Sequence, residues 1–130
     1  MKRYSFYLLT IILATSFLFA PHFVEAKQQK TQTYHVTGQA RIWEASYSYR
    51  IRSGKKELVR GYGTASKGAP EWGDFEEIIK VEKKKNLTLE LFEISQADGK
   101  EINKLIIPLD QIKGKIYHNN AFRNVKVTLQ

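Results

Sequence analysis

Apolar and polar residues alternate along the chain from about residue 34 onward. Between Trp43 and Ile51 every second position is apolar, whereas the positions between them, from Glu44 to Arg52, are polar or charged. A period of two is typical of a strand that buries one face. Residues 53–56 then have the composition of a hairpin turn, and residues 57–66 return with the same alternation. We therefore predict two antiparallel strands here.

The same alternation continues in later segments that are separated by turn residues. It covers residues 75–81, 87–91, 105–109 and 125–129, and its phase changes after Leu91, which predicts a β-bulge. Residues 97–100 have a turn composition, and Pro108 indicates an edge strand or a strand end. No long stretch has helical spacing, so the prediction is an all-β antiparallel sandwich of about seven strands. The side chains expected in its core are Trp43, Tyr47, Trp72, Phe75, Leu89 and Ile107.

The N-terminal region has the pattern of an export signal. Lys2 and Arg3 precede an apolar run over residues 4–20, and small residues occupy the cleavage positions up to Ala26. We expect cleavage after Ala26, with an uncleaved membrane anchor as the alternative. Residues 27–33 are polar and are expected to form a flexible leader, followed by one domain over residues 34–130.

Charge and cysteine content narrow the functional classes. The chain has a net charge of +8 and no cysteine, which excludes disulfides, thiol chemistry and cysteine metal sites. A basic exported protein meets cell-wall polymers, anionic lipid or acidic proteins, whereas nucleic acid is not an expected partner outside the cell.

No residue pattern indicates a catalytic or metal site. The two histidines of the exported chain, His35 and His118, lie in no nucleophile elbow, and we interpret them as surface or structural residues. Adjacent carboxylates such as Glu76 and Glu77 point to opposite faces of a strand and cannot act as a pair. Gly61 and Gly63 lie inside a strand pattern, where they indicate a bulge or a close approach of the backbone. No catalytic residue, metal or cofactor is predicted.

The segment GAPEWGDFEE, residues 68–77, places a large aromatic side chain in a turn. Gly68, Pro70 and Gly73 shape the connection, and Phe75 begins the next core-facing phase. We expect Trp72 to fold back and close the end of the sandwich, since sandwich ends are filled with aromatic side chains. The alternative is a ring that stacks against a ligand such as a sugar.

Three segments resemble one known family. They read VTGQARIWEASYSYRI, EWGDFEEII and LELFEISQADGKEINKLIIPL, and the similarity runs from about residue 34 to residue 109. Together they are similar to the Gmad2 immunoglobulin-like domain of bacterial spore-germination proteins. The resemblance implies an immunoglobulin-like sandwich, an exported location and a spore-forming source. The family has no established catalytic residues or cofactor, so the resemblance implies none here.

Strand order predicts how the charged turns are distributed. If each strand crosses the sandwich once, successive connections alternate between its two ends, so residues 53–56, 83–86 and 111–120 share one end. The lysines expected there are Lys55, Lys56, Lys83, Lys84, Lys85, Lys113 and Lys115. Glu71, Asp74 and Asp98 are expected at the other end. Such a basic end would attract teichoic acid, an anionic membrane or an acidic protein face, unless its lysines only solvate turns and protect strand edges.

These observations favour a secreted, non-enzymatic immunoglobulin-like binding or assembly module at the bacterial cell or spore envelope, linked to sporulation or germination. In the first hypothesis it docks an anionic cell-wall polymer or an envelope protein through the basic end. In the second it is a structural module that docks a protein along an exposed strand edge. A small hydrolase is the third. We expect no membrane span after signal cleavage.

Overall fold

The computed structural model describes residues 30–130, so the predicted signal segment over residues 1–26 lies outside the described residues. Seven strands form within this range. Their bounds are β1 Thr31–Ala40, β2 Ser46–Ser53, β3 Lys56–Thr64, β4 Gly73–Glu82, β5 Leu87–Ile94, β6 Glu101–Pro108 and β7 Phe122–Leu129. Two single 3-10 turns, Trp43–Ala45 and Leu109–Gln111, complete the regular structure of this part of the chain.

The strands form two antiparallel sheets, which confirms the predicted all-β sandwich. One sheet has the order β4-β1-β7 and the other has the order β3-β2-β5-β6. A register shift between Leu91 and Glu93 is the predicted bulge, and Pro108 ends the edge strand β6. Within residues 30–130 there is no helix with the length and apolar character needed to cross a membrane.

The core lies between the two sheets and draws side chains from both. Of the residues expected in it, Tyr47, Phe75, Leu89 and Ile107 are buried. Tyr47 packs against Phe75 with ring centroids 4.9 Å apart, so an aromatic contact joins β2 of one sheet to β4 of the other.

Trp43 is a correction to the predicted core, because its side chain is 59% exposed. The predicted strand does not begin here. Residues Trp43–Ala45 form a 3-10 turn in which Glu44 and Ala45 have φ values of 53° and 59°, and β2 begins only at Ser46. The turn breaks the alternation, so Trp43 no longer shares the inward face of Tyr47.

The predicted leader also needs a correction at its C-terminal end. Thr31, Gln32 and Thr33 belong to β1 and pair with residues 80–82 of β4. β1 is the central strand of its sheet, with β4 on one side and β7 on the other. Backbone hydrogen bonds therefore hold the polar first residues of β1 in the sheet. Such bonds cannot be predicted from the composition of the side chains.

Two glycines of β3 make room for two tyrosine rings of β2. Tyr47 lies opposite Gly63, and Tyr49 lies opposite Gly61. A Cβ atom at either glycine would overlap the facing phenol oxygen, and at Gly63 it would also overlap a Glu77 carboxylate oxygen. The Tyr47 hydroxyl donates to Glu77 Oε1 at 2.6 Å. Burial, followed by this hydrogen bond, raises the pKa of Tyr47. The glycines thus mark a close approach of side chains to the backbone.

A buried cation lies on the outer face of the four-stranded sheet. Arg50 of β2 is only 2% exposed and donates from Nε to Glu90 of β5. Its two other nitrogens bind both carboxylate oxygens of Glu101 on β6, at 2.5 and 2.7 Å. Arg52 also donates to Glu90, at 2.9 Å, and the Arg50 guanidinium lies 4.7 Å from the ring centroid of Phe92. One side chain therefore joins three neighbouring strands.

This network lowers the pKa of both carboxyl groups, Glu90 and Glu101. The hydrogen bond from Arg50 is the largest cause that lowers the pKa of Glu101, to about 2. For Glu90, burial alone would raise the pKa, but the hydrogen bond from Arg50 and the charges of Arg50, Lys104 and Arg52 together lower it. Both carboxylates therefore remain ionised in mild acid.

We predict that Gly63→Ala lowers the free energy of unfolding by about 2–3 kcal/mol, because the new methyl group overpacks against Tyr47 and Glu77. Thr64→Ala, at the exposed next position, should cost no more than about 0.5 kcal/mol. Urea unfolding measures both values. Equal costs for the two variants would contradict the assigned role of the glycine.

We predict that stability falls as the pH drops from about 4.5 to about 2. The folded-state pKa of Glu101 lies below its ordinary value of 4.5, so its contribution is fully present above that value and is lost on approach to about 2. Glu101→Gln should cost roughly 1–2 kcal/mol at neutral pH, a figure reduced for the partial exposure of this carboxyl group. Urea unfolding across this pH range should give a flatter profile for the variant than for the wild type.

The exposed position of Glu71 provides the control, since Glu71→Gln removes a carboxylate that has no contact with Arg50 and should unfold within about 0.5 kcal/mol of the wild type at neutral pH. A wild-type stability that stays constant between pH 4.5 and 2 would contradict the role of the Arg50 network.

Candidate functional site

Two lysine-rich turns lie next to each other at one end of the sandwich. Ser53, the last residue of β2, pairs with Leu87, the first residue of β5. The Ser53 hydroxyl also donates to the backbone carbonyl of Lys85 at 3.2 Å. The turn between β2 and β3 therefore borders the turn between β4 and β5. Lysines from distant parts of the sequence, Lys55 and Lys56 on one turn and residues 83–85 on the other, share a surface.

Lys30 belongs to the same end and was not predicted there. The backbone N–H of Lys83 donates to the carbonyl of Lys30 at 2.7 Å, immediately before β1 begins. The sequence alone did not place Lys30 at this end, because residues 27–33 are polar and are predicted to form a leader. The position of β1 in the sheet would have revealed it, since the start of β1 pairs with the end of β4.

The connection between β6 and β7 is a further correction. Residues 111–120 were expected to stay at the lysine-rich end, but they cross the sandwich along β7. Ile112 lies in a groove with Leu129, whereas Tyr117 bridges Val125 and Asn119 bonds to Phe122. The reason is that β6 and β7 both run toward the lysine-rich end, so the chain must return between them.

This crossing separates two lysines that were predicted together. Lys113 lies beside Thr128 and Leu129, at the lysine-rich end. Lys115 lies farther along β7, near Lys126 on the side of the sandwich. We define the basic end by the seven lysines that the structure brings together: Lys30, Lys55, Lys56, Lys83, Lys84, Lys85 and Lys113.

Few acids offset the charge of the basic end. Glu82 lies 3.6 Å from Lys84, Glu57 is paired with Arg60 at 2.6 Å, and Asp110 follows β6. Within the described residues, no other lysine of the basic end has a carboxylate within 4.0 Å. These ammonium groups are exposed and free to contact an anionic partner.

An apolar groove adjoins the basic end at Lys113. Ile112, Gly114, Val127 and Leu129 line it, and its volume is about 330 Å³. Leu129 is 57% exposed, which leaves an apolar side chain open to solvent beside the lysines. The basic end is therefore amphipathic along this side.

The opposite end does not form an acidic surface. Glu71, Asp74 and Asp98 lie there, in or beside the connections that follow β3 and β5. Lysines accompany them: Lys67 lies 4.0 Å from Glu71, and Lys100 lies 3.8 Å from Asp98. Within the described residues the two ends therefore differ, because every lysine of the basic end except Lys84 lacks a carboxylate within 4.0 Å, whereas the opposite end has mixed charge.

Trp72 does not close the end of the core. Its assignment to the predicted core is therefore corrected, like that of Trp43. The Trp72 ring is partly exposed and lies outside the buried cluster. Two guanidinium groups cover it, with Arg41 at 4.8 Å and Arg123 at 4.3 Å from the ring centroid. Arg123 also donates to Gln39, which donates to Asp74. The ring is therefore held by cation–π contacts at the surface.

Within residues 30–130, the two histidines and the carboxylates near them do not converge on one site. His35 Nε2 lies 3.3 Å from Glu76 on the outer face, whereas Glu77 points inward to Tyr47. His118 is exposed in the crossing connection. Over residues 30–130, no three side chains of the metal-binding types His, Cys, Asp and Glu converge.

A comparison with protein families matches the greater part of the chain to a known family. The Gmad2 family, described as an immunoglobulin-like domain of bacterial spore germination, matches residues 24–100, which is more than half of the chain. The match includes both lysine-rich turns but stops before β6, so Lys113 and the apolar groove lie beyond it. No curated protein and no solved structure matches the chain.

We predict that Trp72→Ala costs about 1–2 kcal/mol, because the variant loses exposed cation–π contacts and leaves no core cavity. Phe75→Ala, at a buried position, should cost about 3–5 kcal/mol. Denaturant unfolding of both variants gives the comparison. If Trp72→Ala were as costly as Phe75→Ala, the ring would after all be part of the core.

Proposed function

Because the chain belongs to the Gmad2 family of immunoglobulin-like domains of bacterial spore germination, we propose that it is a non-enzymatic envelope module that docks anionic material. The basic end is the docking surface. The observation that supports this most directly is the meeting of two lysine-rich turns, fixed by the Ser53–Leu87 pair and the Ser53–Lys85 hydrogen bond.

The arrangement favours a partner with many negative charges. Lysines that share a surface add their potentials, and this raises the local concentration of an anionic partner. Each ammonium group is a compact charge on a flexible stem and needs no fixed bidentate geometry. A polymer or surface with repeated anionic groups suits such a surface better than one small ligand does.

An extracytoplasmic location is part of the proposal. It rests on the signal pattern over residues 1–26 and on the family to which the chain belongs. The complete absence of cysteine is compatible with this, because the described domain is held by its apolar core and by the Arg50 network.

A second candidate function is docking of a protein strand along β3. This strand is nine residues long and lies at the edge of the four-stranded sheet, and its Tyr62 is 81% exposed. An added strand would bind mainly through backbone hydrogen bonds. Its affinity would therefore depend little on salt, in contrast to docking through lysines.

We predict that changing Lys83, Lys84 and Lys85 together to Ser weakens sedimentation of residues 27–130 with purified cell wall. The loss should be about tenfold or more at low salt, because three charges leave the docking surface. Wild-type binding should itself decline as ionic strength rises to about 0.15 M, where the screening length is about 8 Å.

A matched variant removes the same charge elsewhere. Lys67, Lys100 and Lys126 are exposed and lie away from the basic end, and their joint change to Ser should leave sedimentation near the wild-type level. Both triple variants should unfold within about 0.5 kcal/mol of wild type. Equal wall binding by the two variants would contradict docking through the basic end.

A further inference from the structure

The point at which the chain enters the sandwich coincides with the basic end. Lys30 precedes β1 there and is bonded to Lys83. Nine residues, 21–29, separate Lys30 from the apolar run over residues 4–20. A fully extended stretch of that length spans at most about 35 Å. If the apolar run stays uncleaved in a bilayer, which is the alternative to cleavage after Ala26, the basic end is the part of the domain that joins the segment leading to it.

The apolar side chains beside the basic end favour a lipid partner over a soluble polymer. Leu129 is 57% exposed, and Ile112 lines the neighbouring groove together with Lys113. A wall polymer of repeated phosphates offers no apolar group for these side chains. The surface of a bilayer offers anionic headgroups with acyl chains just beneath them, which matches lysines placed next to exposed apolar residues.

The lysines themselves suit a membrane surface. Each lysine near an anionic leaflet contributes attraction that decays within about one screening length. Lys55, Lys56 and residues 83–85 belong to short turns that project from the end of the sandwich, so they can approach one plane together. No helix or pocket of fixed shape is required for this contact.

We propose that the basic end rests on an anionic lipid bilayer, with its lysines over the headgroups and Leu129 at the interface. This inference rests on the proposed function and specifies the anionic partner. Residues 21–29, if fully extended, would be about as long as the sandwich, whose strands of eight to ten residues span about 30 Å. This segment alone would therefore not fix the orientation, and the lysines must do so.

The absence of cysteine makes the orientation measurable with single-cysteine labels. Gln130→Cys labels the basic end, where the Gln130 N–H donates to the carbonyl of Thr33. Ala97→Cys labels the exposed turn between β5 and β6 at the opposite end. Neither the Gln130 nor the Ala97 side chain is charged, so replacing them adds no charge to the lysine surface and removes none.

The experiment uses the full chain, reconstituted in vesicles of phosphatidylglycerol and phosphatidylcholine that contain a headgroup quencher. At low salt we expect quenching of the label at residue 130 and none at residue 97. The difference should vanish in pure phosphatidylcholine and in the variant with Lys83, Lys84 and Lys85 changed to Ser. For that variant the equilibrium constant for resting on the anionic surface should fall on the order of a hundredfold, measured as the loss of quenching at residue 130. Leu129→Ser should reduce the difference while leaving wall sedimentation unchanged.

Equal quenching at the two positions in anionic vesicles, or a difference that survives the lysine substitutions, would overturn the inference. If wall sedimentation depends on the lysines while the vesicles show no orientation, the partner is a polymer and the proposed function stands. If neither binding depends on the lysines, both the inference and the proposed function fail.

Discussion

The placement of Arg50 is the constraint on which the geometry of the four-stranded sheet depends. Its guanidinium is buried on the outer face and satisfied by Glu90 of β5 and Glu101 of β6. A slip of β2 by one residue would turn this cation into the apolar core, at a cost that the core could not offset. The network thus sets which residues of β2, β5 and β6 face each other. The pairing of Ser53 with Leu87, and with it the meeting of two lysine-rich turns, follows from that register.

Side chains on the inner face of β2 also restrict how β2 can pair with β3. Tyr47 and Tyr49 occupy the space left by Gly63 and Gly61, so neither tyrosine can face a residue with a side chain at that point. Because glycine weakens a strand, its presence at two alternate positions of β3 is explained only by what lies opposite. β2 is therefore positioned by charge on one face and by shape on the other, and its hairpin turn is fixed at the basic end.

Alternation of apolar and polar residues was sufficient to predict the fold class, because burial of one face imposes a period of two on every strand. It was not sufficient where the backbone leaves the strand conformation. Trp43 continues the apolar pattern, yet left-handed φ values at Glu44 and Ala45 remove it from the sheet. Trp72 was assigned to the core because sandwich ends are filled with aromatic side chains, but Arg41 and Arg123, distant in sequence, hold it at the surface. A cation–π contact between residues distant in sequence produces no periodic pattern along the chain from which it could be predicted.

The position of the basic end could be predicted in part, because the alternating pattern shows how many strands cross the sandwich. Lys55, Lys56 and residues 83–85 lie in short turns between strands that cross the sandwich once, so counting strands is enough to place them. Lys115 was misplaced because an irregular segment also crosses the sandwich, and such a crossing has no alternation to count. Turn lysines bury little surface and contribute little to the core, so their charge can change without cost to the register set by Arg50. The residues that hold the fold and those that would bind the partner are thus distinct, which is why binding and stability can be separated in this domain.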